Sequence, residues 1–376
     1  MTNEKTKLVP KLRFPEFREA DGWERAILGD LSEIVRGGSP RPIDGFLTTA
    51  ADGLNWLKIG DVDKEAKYVT RTAEKVRPEA LSKTRVVNPG DLILSNSMSF
   101  GRPYILQIKT CIHDGWIAVT DIAKKTDRDF LYYSISAPSS QSYFVDNAAG
   151  SGVQNLNADI IKALPVCFPS PAEQQKVAEC LSSVDELMAA QARKVDALKT
   201  HKKGLMQQLF PREGEGEPQP RLRFPEFQNA GAWELKRLSS EVHLISGVHL
   251  SPDQYSMTGE VPYFTGPSDF TNAIDSVTKW TKRSTNMAVP DDTLITVKGS
   301  GVGEVWYSKL QAVALGRQLM AVRVKKGSSQ FIFQFLLTKK TRFEDLGSGN
   351  LIPGLSRTDI LDMEAHFPSV AEQQRI

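Results

Sequence analysis

The chain contains itself twice, and this repeat limits its possible folds more than any other feature. Residues 11–24 read KLRFPEFREADGWE and residues 221–234 read RLRFPEFQNAGAWE, identical at nine of fourteen positions. A second echo closes each copy. FPSPAEQQKV at 168–177 returns as FPSVAEQQRI at 367–376, identical at seven of ten. The two offsets, 210 and 199 residues, leave interiors of comparable length. Weaker matches lie inside: NPGDLIL (88–94) answers VPDDTLI (289–295), the GSG at 150–152 answers that at 347–349, and Asp159-Ile160 answers Asp359-Ile360. Solenoid units repeat every ~20–50 residues, so a period this long is a duplicated domain.

The 376 residues divide accordingly. A flanking segment (1–23) precedes a first domain (24–169), and a long helix (170–210) follows it. A linker with the second RFPEF segment (211–230), a second domain (231–368) and the start of another helix (369–376) complete the order. The interiors read as mixed α/β with irregular sheets and long loops. Apolar, β-branched runs at 91–95, 116–120, 293–297 and 319–324 are bounded by Gly, Pro, Asn and Asp, which predicts strands. Residues 129–136 and 330–339 predict helices, but strands and helices do not alternate regularly enough for a doubly wound sheet.

Ser170-Pro171-Ala172-Glu173 reads as a capping box with proline at the first helical position. From there to Phe210-Pro211 only Gly204 interrupts good helix formers. In heptads, Val177, Val184, Gln191, Leu198 and Leu205 fall at a, and Leu181, Met188, Val195, Lys202 and Leu209 at d. Eight of these ten are apolar, the pattern of a coiled-coil seam. At 1.5 Å per residue the rod would be about 58 Å long. A seam of that length predicts a partner helix. The repeat places one after the second copy, from Ser369, and the sequence stops one turn later at Ile376. A longer form of the chain or a second molecule would each supply it.

Charge narrows the function classes. The 47 Lys and Arg nearly cancel 45 Asp and Glu, for a net +2, which excludes a histone-like polycation but not a binder with basic residues on one face. No apolar stretch approaches the ~20 residues that cross a bilayer, and the N-terminus has no apolar core of signal-peptide length. Cys111, Cys167 and Cys180 have neither metal nor redox spacing. A soluble, cytoplasmic chain is expected, with Cys167 and Cys180 as small apolar fillers.

Catalytic motifs are missing where they would be expected. No glycine-rich loop ends in Gly-Lys-Ser/Thr, and GSGVGE (299–304) lacks dinucleotide spacing. There is no Asn/Asp-Pro-Pro-aromatic tetrad of amino-group methyltransferases, and the five histidines are scattered. Glu65-Ala66-Lys67 fits the tail of a metal-dependent nuclease motif but lies in a charged run, DVDKEAK, that reads as a solvated turn. His113-Asp114 reads as core, surface or DNA contact sooner than as catalyst. Trp23 and Trp233, at equivalent places in the repeat, are expected to pack the flanking segments.

Loops rich in glycine, cations and amides stand at matching places in both copies. Residues 36–42 (with Arg36, Ser39 and Arg41) answer 245–251 (with Ser246 and His249). Residues 95–102 (with Asn96, Ser97 and Arg102) answer 298–303 (with Lys298 and Ser300). Residues 150–157 (with Asn155 and Asn157) answer 347–351 (with Asn350), and Arg357 follows shortly after. Glycine lets backbone approach a phosphate, and Arg, Asn and Gln pair with base edges. An ordinary polar turn explains any single member equally well; the set as a whole favours DNA.

Two diverged domains, each preceded by RFPEF and followed by an AEQQ helix, resemble the specificity subunit of type I restriction-modification systems over essentially the whole chain. The resemblance implies two target recognition domains, each reading half of a bipartite site on double-stranded DNA. It implies two antiparallel helices that set the gap between half-sites and dock methylation subunits, with restriction subunits joining them. S-adenosylmethionine, ATP and Mg²⁺ would belong to those partners, and this chain would bind no cofactor or metal and catalyse nothing alone. The sequence departs from the family in carrying only the first turn of the second helix, so the unpaired rod could self-associate. Two other readings compete: a self-sufficient site-specific nuclease, lacking an evident carboxylate cluster, and a coiled-coil adaptor without a DNA role.

Overall fold

The computed structural model describes residues 8–96, 100–148, 156–211, 219–282, 286–348 and 354–376. Its contacts divide the chain into two units, Met1–Ala192 and Arg193–Ile376.

In the first unit a central sheet runs in the order Glu33–Arg36, Trp116–Thr120, Leu92–Ser95, Pro103–Leu106, Tyr68–Val69. Its inner strands are apolar in unbroken runs because both faces are covered. Leu92, Leu94, Ile105, Ile117 and Val119 pack against Phe130, Leu131, Ile135 and Phe144 of helices Arg128–Ser136 and Pro138–Asn147. The alternate residues Ile93, Tyr104, Leu106, Trp116 and Ala118 meet Leu57, Val87 and Ile112 of an outer sheet. That sheet runs Leu47–Thr48, Glu74–Val76, Leu54–Leu57, Thr110–Ile112, Arg85–Val87. The result is helices, sheet, sheet: mixed α/β, with irregular short strands and long connections.

The second unit repeats the plan. Its central sheet is Val242–Ser246, Leu319–Val324, Thr293–Thr296, Val305–Tyr307, and its outer sheet Tyr255–Ser256, Trp280–Thr281, Val261–Phe264, Val313–Leu315, Met287–Ala288. Helices Ser329–Thr338 and Lys340–Ser348 cover the free face through Phe331, Ile332, Leu336 and Phe343. Even the mixed direction recurs: Thr110–Ile112 runs parallel to Leu54–Leu57, and Val313–Leu315 parallel to Val261–Phe264. One expected match shifts. Asn157 and Ser356 cap the short helices Ala158–Lys162 and Arg357–Leu361, which sets Ile161, not Ile160, opposite Ile360; both are fully buried.

The echoed flanks have a shared physical cause. Arg13 Nε and Nη2 donate to the Glu173 carboxylate at 2.8 and 2.7 Å, and Trp23 Nε1 adds a third bond at 3.2 Å. Arg223, Glu372 and Trp233 repeat this at 2.7, 2.7 and 3.3 Å. Each arginine also donates to two carbonyls of its own segment, Ala20 and Asp21 or Ala230 and Gly231. Gln174 and Gln373 accept from the Asp127 and Ser328 amides, tying each clamp to the helix those residues cap. Glu173 therefore turns to the flanking segment instead of completing the expected capping box: buried to 1 % exposure, its charge is satisfied by the guanidinium. Trp23 and Trp233 pack edge-on against Phe130 and Phe331, as expected.

Residues Pro171–Leu209 form one long helix. In the first unit Val177 packs on the core, and Ser182 and Asp185 are held by Lys67 and Tyr133. Lys67 is thus not part of a solvated turn. Burial works to lower its pKa, but the hydrogen bond from its ammonium to Tyr133 and the nearby Asp129 carboxylate outweigh it and raise the value. In the second unit Leu209 and Phe210 close on Phe331 and Phe335. Between these ends the seam residues Leu181, Val184, Met188, Val195 and Leu198 are exposed, Met188 to 66 %, while Leu205 is half-buried. Cys180 is exposed too, so it fills no core gap, whereas Cys111 is buried. Among the described residues no helix is long and apolar enough to cross a membrane.

Candidate DNA interface

Three connections leave the central sheet of the first unit at one end. Arg36 pairs with Ile117 and Ser95 with Trp116, so the loops after Arg36 and Ser95 and the turn before Trp116 emerge together. The Asn96 carbonyl accepts from Leu156, drawing the end of the third loop to the same place. The second unit matches this: Ser246 pairs with Met320 and Thr296 with Leu319, and the Val297 carbonyl accepts from Leu355. Tight packing requires glycine at the start of the first loop in each unit. A Cβ on Gly37 would collide with the His113 carbonyl oxygen, and one on Gly247 with that of Gly316. These two glycines accommodate a neighbouring turn, a local reason apart from any approach to phosphate.

In the first unit the sequence candidates converge on Asp114. Its carboxylate accepts from Ser39 Oγ at 2.8 Å and Arg41 Nη2 at 3.3 Å, and His113 Nε2 lies 3.0 Å away. Its carbonyl accepts from Arg36 Nε at 3.3 Å and Asn96 Nδ2 at 3.1 Å. Because His113 Nδ1 accepts the Gly115 amide proton, Nε2 carries the hydrogen aimed at the carboxylate. Burial pushes the Asp114 carboxyl up, but the Ser39 hydroxyl, the adjacent His113 imidazole and the Arg41 guanidinium more than offset this and hold it below its ordinary range. Arg41 still leaves 82 % of its side chain exposed, and Arg36 is exposed.

Other candidates are placed differently. Asn96 is only 5 % exposed, so its amide braces the turn instead of facing outward. Asn157 spends its side-chain oxygen on the Ile160 amide as a helix cap. Arg102 faces Glu65 through two contacts of 3.4 Å. Ser97, Asn155 and Asn350 lie outside the described residues. In the second unit His249, Lys298 and Ser300 are exposed. Arg357 is exposed but folded back, donating to Ser246 Oγ at 2.8 Å and to the Leu244 carbonyl at 3.1 Å. Sequence reasoning missed Asp114 as the organiser, and missed Arg317, which occupies the matching turn of the second unit between Leu315 and Leu319. Neither turn carries a motif. Among the described residues no group of three or more His, Cys, Asp or Glu is arranged to hold a metal.

A family model for the type I restriction modification DNA specificity domain matches residues 20–200 and again residues 231–376. The chain belongs to this family. It is similar to the putative type I restriction enzyme MjaX specificity subunit of Methanocaldococcus jannaschii, 25% identical over 372 residues, covering 95% of this chain and 85% of that protein. It is 22% identical over 261 residues to the MjaVIII specificity subunit of the same organism, covering 68% of this chain and 56% of that protein. In fold it is similar to the type I restriction-modification S subunit from M. genitalium, with TM-score 0.63, 16% identity and coverage of 98% and 90% of the two chains. A chain solved in work on assembly and conformational transition of the type I system matches with TM-score 0.53 at 19% identity, covering 97% of this chain and 89% of that one. The family match in both halves agrees with the duplicated sheets, loop clusters and clamps of this specificity-family chain.

Proposed function

We propose that this chain is the sequence-reading, non-catalytic subunit of a type I restriction-modification complex, and that each unit reads one half of a bipartite site on double-stranded DNA. One observation carries the reading: the same three connections emerge from the same strands in both units, presenting cations, hydroxyls and backbone at one end of each central sheet. Such an end is suited to entering a major groove, where side chains distinguish bases while cations meet phosphates. The domain limits at 24–169 and 231–368 belong to this proposal. So does the cytoplasm, where such a complex would meet chromosomal DNA.

The exposed apolar residues from Leu181 to Leu198 support pairing with a further helix, from methylation subunits, from a longer form of the chain or from a second copy. Methylation subunits would bring S-adenosylmethionine, and restriction subunits would bring ATP-dependent cleavage with Mg²⁺. The test is methylome sequencing of cells carrying the intact system, joined to gel shifts of the purified complex on the motif found. A two-part motif, with affinity falling steeply as salt rises, is expected because neutralised phosphates release counterions. Cleavage by the chain alone with Mg²⁺, or no sequence preference, would overturn the reading.

A further inference from the structure

We infer that Arg317 reads a guanine in the half-site of the second unit, donating paired hydrogen bonds to O6 and N7; this rests on the proposed function. The turn that carries Arg317 is fastened on every side. Leu319 N donates to Gly316 O at 2.9 Å to close it, and Gly316 N donates to Phe264 O at 2.8 Å. Gly247 N and Val248 N, in the first loop, donate to Leu319 O and Leu315 O at 2.9 and 2.8 Å. Val297 N, beside the second loop, donates to Gln318 O at 2.7 Å. Arg317 thus stands at the meeting point of the candidate recognition loops, on backbone that has little freedom left to lose on binding.

Its side chain is exposed and has no hydrogen bond or ion pair among the described residues. The first unit shows what a structural occupant looks like: Asp114, in the equivalent turn, is engaged by Ser39, Arg41, Arg36 and Asn96. Arg317 has the opposite charge and nothing corresponding to brace. A planar, fixed-charge fork on a rigid turn matches the two acceptors of guanine in the major groove, the commonest arginine–base contact. The half-sites should accordingly differ, with a G·C requirement at this position in the second unit.

The experiment selects duplexes from a randomised pool with the complex purified through a tag on this chain, comparing wild type, Arg317→Gln and Arg317→Lys. Expected is a two-part motif for wild type, in which both variants lose one G·C preference in one half while the other half persists, an internal sign of intact folding. Affinity for the selected site should fall roughly 10- to 100-fold, with affinity for random duplex unchanged. An unchanged motif overturns the inference. So does a uniform weakening in which the salt slope drops by about one and Lys restores binding, the mark of a phosphate contact. If wild type enriches no motif, the proposed function itself fails, an outcome distinct from the other two.

Discussion

Asp114 spends both carboxylate oxygens and its carbonyl on residues of two loops, and so decides which cations of the first unit remain available. Arg36 and Arg41 are held by it while still exposed, an arrangement that limits their freedom before DNA arrives. Asp114→Ala should weaken specific binding about tenfold, ~1.4 kcal/mol, by fluorescence anisotropy on the selected site, and relax only the first half-site. The pH dependence has a definite sign. The folded carboxyl titrates below its ordinary range, so its stabilisation is fully present above the unfolded pKa of about 3.9 and is lost as pH falls through the lower folded value. The difference in unfolding free energy between wild type and Asp114→Asn should be present at about pH 5 and shrink below about pH 4. The organising role of Asp114 was not legible in the sequence, since its first-loop partners Arg41, Ser39 and Arg36 are 73, 75 and 78 positions away.

At the scale of elements, the two clamps and the long helix join segments far apart in the sequence. Glu173→Ala would leave the Arg13 guanidinium, 6 % exposed, without its carboxylate. The unfolding temperature should drop by more than about 5 °C in scanning calorimetry, and Glu372→Ala should act likewise on the second unit. A drop under one degree for both would show the clamps to be incidental. The helix Pro171–Leu209 was predicted almost to the residue because proline opens it and helix formers fill it. Its role as a spacer is open to a direct test. Inserting one turn of four residues within 178–208 should lengthen the methylated motif's non-specific gap by one to two base pairs, since a turn adds about 5 Å. An unaltered gap in the methylome would remove the helix from that role.

For the whole molecule, duplication gives each unit its own core, outer sheet and clamp. Replacing residues 235–366 with the corresponding domain of another specificity-family chain should therefore change one half-site in the methylome and leave the other as it was. Changes in both halves would mean that the heads do not read independently. Sequence alone determined the repeat, the long helix and the inner strands Trp116–Thr120 and Leu319–Val324, because helix formers and apolar runs are local signals. It also placed the loops at matching positions, since they interrupt those runs. Only the tertiary structure decided which loop residues face outward, which brace their neighbours, and that Asp114 and Arg317 occupy matching turns. Two-residue strands such as Leu47–Thr48 and Met287–Ala288, and hydrogen bonds between residues far apart in the chain, are selected by packing across the whole unit and leave no periodic trace in the local sequence.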